Sequence, residues 1–169
     1  FTAEMNRHRA GMAISEGSMR FIRFTDIPFW RPNSLRVNEK DPYIINQKRE
    51  LSWQIFKDAI EYAEVKYGQL VELWKDELAP TSKDFHMKKH ITSMMRRIIP
   101  IGVATGGVWS GNLRALRHIF TMRCSPQAEE EILEVGCLLL ERMMKTEPTF
   151  FADFEKDGDG FWRPQYIKV

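Results

Sequence analysis

From about Asn46 to Leu78, apolar residues recur at three- and four-residue steps through Trp53, Phe56, Ile60, Ala63, Tyr67, Leu70 and Trp74. This spacing predicts a long amphipathic helix that Pro80 ends. Thr81, with Asp84 three positions later, reads as the N-cap of a second helix that runs through "MMRRII" to Pro100. "LRALRHIFTMR", residues 113–123, predicts a third. In "SPQAEEEI", Ser125 as cap, Pro126 at the first position and glutamates against the positive helix end predict a fourth, with Ile132, Val135, Leu139 and Met143 as its core stripe. Ahead of these, "FTAEMNRHR" suits a short helix that Gly11 interrupts, and "SMRFIRF", residues 18–24, alternates as a strand. The proline-bearing stretch 25–42 reads as an irregular connection. The glycines of "IGVATGGVWSGN", residues 101–112, require a tight or closely approached one. The expected fold is α+β: a helix-rich domain with a small sheet near the N-terminus.

The length of 169 residues suits a single domain over 1–169, with 155–169 as a C-terminal tail. An apolar content of 43% argues against disorder. The formal net charge is only +2, so anion binding has to come from local clustering rather than from a global field. Cys124 and Cys137 form neither a metal spacing nor a disulfide framework, which fits a reducing, cytoplasmic setting. No apolar run approaches the ~20 residues of a membrane span. Because "FTAEMN" reads as the middle of an element, an N-terminal segment is expected to precede Phe1.

Several clusters have a chemical and a plain reading. His86 and His90 in "HMKKH" lie one turn apart, but a third metal ligand is not apparent, and two surface histidines are expected. "DFEKDGDGFWRP" alternates acids before Gly158 like a calcium loop, yet Pro164 stands where a bidentate glutamate belongs; a solvated turn is expected, and no metal. Cys124 beside Arg123 lacks a pairing base and reads as a buried structural thiol. The arginines stand out. Arg7, Arg9, Arg20, Arg96, Arg97, Arg114, Arg117 and Arg123 lie in or beside segments bearing glycine and serine, and guanidinium forks suit phosphate and imide oxygens. Arg97 and Arg117 are read as ordinary helix-surface arginines.

"RHRAGMAISEGSMRF", residues 7–21, resembles the signature of the flavin-dependent thymidylate synthases, in which an Arg-His-Arg triplet precedes a serine and an arginine–aromatic pair. Two further blocks follow in the family's order and spacing. One is "RRIIP"; the other is "GNLRALRHIFTMRCSPQAEEEI", with its Asn-x-Arg, histidine, arginine and Ala-x-x-Glu-Ile positions. The resemblance runs from Glu4 to about Phe154. One residue more than usual separates the triplet from Ser18, Ser15 replaces a frequent asparagine, and Glu4 and Glu129 each stand where the family usually has glutamine.

The resemblance implies methylation of dUMP to dTMP, with methylenetetrahydrofolate as carbon donor, FAD as hydride carrier and NADPH as reductant. It implies a homotetramer with flavin where subunits meet. By position, Glu4, Arg7, Glu16, Gly17, Ser18, Met19, Arg20, Arg96 and Arg123 would bind substrate. Arg7, His8, Arg9, Glu16, Asn112, Leu113, Arg114 and His118 would bind the flavin, and Arg123 would polarise the uracil ring. Two other readings remain: a related flavoprotein acting on another pyrimidine nucleotide, and a non-catalytic arginine-rich nucleic-acid-binding module. The low net charge and the lack of interleaved aromatic platforms count against the second. The leading reading involves no nucleic acid and no membrane.

Overall fold

Helices dominate, as the periodicity predicts, and the strands are short. The computed structural model describes residues 1–17, 24, 29–104 and 106–167. In chain order it contains α1 (Thr2–Met5), β1 (Met12–Glu16), α2 (Tyr43–Leu73), α3 (Lys75–Leu78), α4 (Phe85–Met95), β2 (Gly107–Gly111), α5 (Leu113–Arg123), α6 (Glu130–Thr146), α7 (Pro148–Phe151), β3 (Phe154–Lys156) and β4 (Trp162–Pro164). Its contacts divide it into two units: Phe1–Ser15 with Val108–Val169, and Glu16–Gly107.

In the Glu16–Gly107 unit, α2 starts three residues before the expected Asn46, directly after Pro42. Its regular geometry breaks at Trp74 (φ −109°, ψ 24°), and the chain then resumes as α3. Tyr67 is the buried anchor of α2. It packs with Phe24, Leu78, Ile91 and Met95, and Ile60, Ala63, Leu70 and Trp74 close over that cluster. The predicted stripe is therefore real in its C-terminal half. Phe56 is exposed, as are Tyr43, Ile44, Leu51, Ile55 and Tyr62 on the same helix. The N-cap of α4 is Asp84, whose carboxylate accepts from Met87 N–H at 2.8 Å, rather than Thr81. A helix start is set by whichever side chain reaches the orphan N–H groups, and here the acid does so itself. Phe29 bridges Val103, and its ring lies where a Cβ on Gly102 would sit, which accounts for one glycine of that connection. The strand expected over 18–24 lies, apart from Phe24, outside the described residues.

In the other unit, α5 carries apolar residues toward two clusters. Ile119 meets Met5 and Ile132; Phe120 and Cys124 meet Leu140, Phe151 and Phe154. α6 starts later than expected, at Glu130 with Glu129 as N-cap. Ser125 instead donates to the Met122 carbonyl at 2.9 Å and so closes the end of α5. The buried line of α6 is Ile132, Gly136 and Leu140, a strict four-residue step, whereas Leu139 of the expected stripe is 46% exposed. Gly136 faces Arg123 and Cys124, where a Cβ would lie in ordinary contact, 3.5 Å from Cys124 Sγ. β1 pairs with β2. Asn112 N–H donates to the Gly11 carbonyl at one end, and Gly17 N–H donates to that of Gly106 at the other, so the pairing is antiparallel.

β3 and β4 form an antiparallel hairpin that starts at Phe154, one residue before the expected tail. Asp157 accepts from Asp159 N–H, Phe161 N–H and Arg163 Nε, and so closes the turn expected there. Arg117 is not a surface arginine. It forks onto both oxygens of Asp153 (2.6 and 2.7 Å), also donates to the Phe150 and Tyr166 carbonyls, and lies 5.1 Å from the centre of the Phe154 ring. Both side chains are largely buried. Breaking such a pair strands the remaining charge. Arg117→Met should therefore lower unfolding stability by about 2–3 kcal/mol in urea titrations. The hydrogen bonds from Arg117 hold the Asp153 carboxyl below the usual carboxylate range. The folded chain thus binds that proton less readily than the unfolded one, and the stabilisation present above about pH 4 is lost as pH falls through the lower folded value. Asp153→Asn should flatten this acid limb. A stability change within about 0.5 kcal/mol for Arg117→Met would remove the clamp from the account.

Candidate functional site

The triplet Arg7-His8-Arg9 sits in the turn between α1 and β1, and its setting follows from Gly11. With φ +73°, Gly11 takes a left-handed conformation that a side chain would strain, and a Cβ there would come within 2.5 Å of Asn112 Nδ2. The turn thus packs directly on the start of α5. Asn112 caps that helix, its Oδ1 accepting from Ala115 N–H at 2.9 Å.

His8 and Arg123, distant in sequence, meet as a result. Arg123 Nε donates to His8 Nε2 at 2.8 Å, Arg123 Nη1 pairs with Glu4 Oε2 at 2.7 Å, and Nη2 donates to the Glu4 carbonyl at 3.3 Å. The second carboxylate oxygen of Glu4 pairs with Arg7 Nη1 at 2.8 Å. His8 also meets His118 edge-on, with ring centres 6.0 Å apart. A cavity of about 230 Å³ opens beside them, lined by Arg7, His8, Arg9, Met12, Ala115 and His118 among others. A second, of about 460 Å³, runs along α5 past Arg114, His118, Thr121 and Met122 to Tyr166. Two cationic pockets therefore share His118.

An acceptor at His8 Nε2 requires the proton of the neutral ring to sit on Nδ1. Burial, then the Arg123 charge, then His118 push the His8 pKa below its ordinary value, and Glu4 opposes them. The thiols are placed against chemistry: burial pushes Cys124 far up and Cys137 up as well, as expected for structural cysteines. His86 and His90 are exposed, and among the described residues no group of three potential ligands could hold a metal ion. No helix of the described residues is long and apolar enough to cross a membrane.

A family model described as thymidylate synthase complementing protein matches residues 1–149. The chain belongs to this family. Curated relatives named flavin-dependent thymidylate synthase include one from Corynebacterium glutamicum, 30% identical over 154 residues, and one from Mycolicibacterium gilvum, 28% identical over the same length. Each match covers 91% of this chain and 57% of the relative, so the chain spans little more than half the relatives' length. Among solved structures, the chain is similar to a UMP/dUMP methylase, PolB from Streptomyces cacaoi, bound with 5-Br UMP (TM-score 0.64, 17% identity, 89% of this chain and 66% of that one). It is also similar to a flavin-dependent thymidylate synthase from Helicobacter pylori complexed with FAD and dUMP (TM-score 0.51, 16% identity, 90% and 66%). At such identities the likeness is one of fold, and it agrees with the helix-rich α+β architecture expected from the sequence.

Of the residues singled out on the thymidylate synthase resemblance, Arg7, His8, Arg9 and His118 line the first cavity, and Glu4 and Arg123 are bonded to Arg7 and His8; Arg123 itself lines a mostly apolar pocket of about 210 Å³ with Met5, Met12, Trp109 and Ile132. Arg114 lines the second. Asn112 and Leu113 form the first turn of α5. Glu16 is exposed at the end of β1, next to Gly17, which is held in the strand pairing. Arg96 is exposed in the turn after α4, in the Glu16–Gly107 unit. Ser18, Met19 and Arg20 lie outside the described residues. The motifs did not point to Thr121, Met122 or Tyr166. The helical step from Arg114 through His118 to Thr121 and Met122 marks one face of α5 and could have found the first two, but Tyr166 reaches that face only through the hairpin.

In the folded chain His8 should titrate below ~6.5, the ordinary histidine value. The unfolded chain then binds the proton more readily, so this contribution to stability is complete above about pH 6.5 and is lost as pH falls toward the folded value. Histidine ¹H–¹⁵N spectra across pH 4 to 8 measure this directly. Arg123→Gln should raise the His8 midpoint; a midpoint that does not move would show that the two side chains are uncoupled.

Proposed function

We propose that this chain contributes the nucleotide- and flavin-binding part of a flavin-dependent thymidylate synthase. The proposed reaction methylates dUMP to dTMP with methylenetetrahydrofolate as carbon donor and NADPH as reductant. The observation that carries this reading is the convergence of the triplet and α5: four cationic or imidazole side chains line one pocket, and Arg123, fixed by His8 and Glu4, lines the mostly apolar pocket on the other side of Met12.

The residues present suit FAD. The glycine turn lets backbone approach closely at Asn112, the first turn of α5 directs N–H groups outward from the capped end, and Arg7, Arg9 and Arg114 supply guanidinium donors for phosphates. When bound, the flavin supplies hydride transfer, which none of these side chains can do. The protein's part is electrostatic. Uracil C5 is a poor nucleophile unless negative charge spreads to N3 and the carbonyl oxygens. A guanidinium already fixed in place stabilises that charge without reorganising. Arg123 takes this role, and Arg7 binds the nucleotide. Neither thiol has a task, since Cys124 is fully buried and both are shifted away from thiolate.

Assembly as a homotetramer, with flavin where subunits meet, is part of this proposal. The support is α2, whose first half exposes Tyr43, Ile44, Leu51, Ile55 and Phe56, more apolar side chain than a solvated helix face carries by need. The nucleic-acid reading loses ground because Glu4 pairs with both Arg7 and Arg123, which reduces the cationic charge open to a phosphate chain.

Titration of FAD into the chain should quench flavin fluorescence at micromolar concentration, and added dUMP with methylenetetrahydrofolate and NADPH should give dTMP by chromatography. No quenching sinks the flavoprotein reading; methylation of UMP in preference to dUMP would move the activity to another pyrimidine nucleotide. Arg123→Ala should reduce turnover by ~10²–10³-fold. Because it also removes the donors to Glu4 Oε2 and His8 Nε2, it should cost about 1–3 kcal/mol of stability, so the comparison is made well below the melting temperature. In contrast, Cys124→Ala combined with Cys137→Ala should turn over within a few-fold of the parent; a folded, FAD-loaded double variant without turnover would restore a thiolate to the mechanism.

A further inference from the structure

Glu4 has work that the family resemblance does not assign to it. Among substrate contacts, a carboxylate is an odd neighbour for an anionic nucleotide, and the family usually has glutamine at this position. In the fold, both of its oxygens are taken by arginines, Oε1 by Arg7 and Oε2 by Arg123, and its own carbonyl takes a further Arg123 donor. With the bond to His8 Nε2, this commits Nε, Nη1 and Nη2 of Arg123 to Glu4 of α1 and His8 of the turn that follows. The Arg123 and Glu4 side chains are 14% and 21% exposed, so solvent screens this pair less than a surface one. Arg7, at 71%, is open to water.

A glutamine cannot reproduce the arrangement. It offers one acceptor oxygen, and its amide N–H₂ would face the other guanidinium as donor against donor. We propose that Glu4 is a positioning residue: with His8 it clasps the Arg123 guanidinium in a fixed orientation, and it is a carboxylate because one side chain has to hold two arginines. The clasp belongs to the fold, and only its catalytic consequence rests on the thymidylate synthase reading. A ligand reaching Arg123 then meets an arginine that is already oriented and whose charge is partly compensated. That favours recognition by direction over recognition by bulk charge.

The test is the guanidinium spectrum of the ¹⁵N-labelled chain at low temperature, with Arg123 assigned through Arg123→Lys. A clasped guanidinium rotates slowly about Nε–Cζ and shows two separate Nη signals. The parent should show this pair for Arg123, and Glu4→Gln and Glu4→Ala should each collapse it to one averaged signal. In turnover assays, Glu4→Gln should lower kcat roughly 10- to 100-fold, as expected for a misplaced catalytic group, with the KM for dUMP changed far less. An averaged Arg123 signal in the parent, or a separated pair that survives in Glu4→Gln, would overturn the clasp. Should Glu4→Ala fail to fold, the parent and Glu4→Gln spectra decide alone. If the parent neither binds FAD nor forms dTMP, the functional reading fails while the spectrum still decides the clasp.

Discussion

Helix α5 has to serve two apolar clusters at once, and this constraint sets the rest of its unit. Ile119 points toward Met5 and Ile132, while Phe120 and Cys124 point toward Leu140, Phe151 and Phe154. Two buried directions on one short helix leave little rotational freedom, because turning either set outward would expose aromatic or aliphatic surface at about 25 cal/mol per Å². The polar positions are fixed as a consequence. Arg117 falls against Asp153, Arg114 and His118 fall along the open cavity, and Arg123 falls at the end that meets the N-terminal turn.

The cationic cluster at that end is managed rather than merely accumulated. One carboxylate holds two guanidinium groups, and a neutral imidazole accepts from the third side of Arg123. Repulsion between arginines is thereby reduced without removing their donors. The arrangement also couples protonation to geometry, since a protonated His8 has no acceptor to offer. Arg117 illustrates the other use of the same side chain. Its donors go to Asp153 and to backbone carbonyls of the C-terminal segment, so its job is to fasten the hairpin.

Local rules read well wherever the deciding partner is close in sequence. The periodicities of 46–78 and 113–123 gave helices in place, and Gly102 and Gly111 stand at close approaches in the 101–112 connection. Errors came where a cap or a face depended on what else was nearby. Thr81 and Ser125 have the right chemistry for N-caps, but Asp84 and Glu129 lie closer to the N–H groups in need, and Ser125 finds the preceding helix end instead. The stripe of α6 shifted because its buried line passes through Gly136, which has no side chain to advertise itself and faces Arg123 and Cys124.

The sequence by itself determined where the longer helices lie, that Cys124 is a structural thiol, and which arginines and histidines belong to the family signature, because each follows from residue type and short-range spacing. Only the tertiary structure decided what those side chains hold. Glu4 and Arg123, His8 and Arg123, and Arg117 and Asp153 are separated by 119, 115 and 36 positions. No periodicity along the chain encodes a pairing at such range. It exists only once apolar burial has fixed α5 in rotation and a left-handed glycine has brought the N-terminal turn against it.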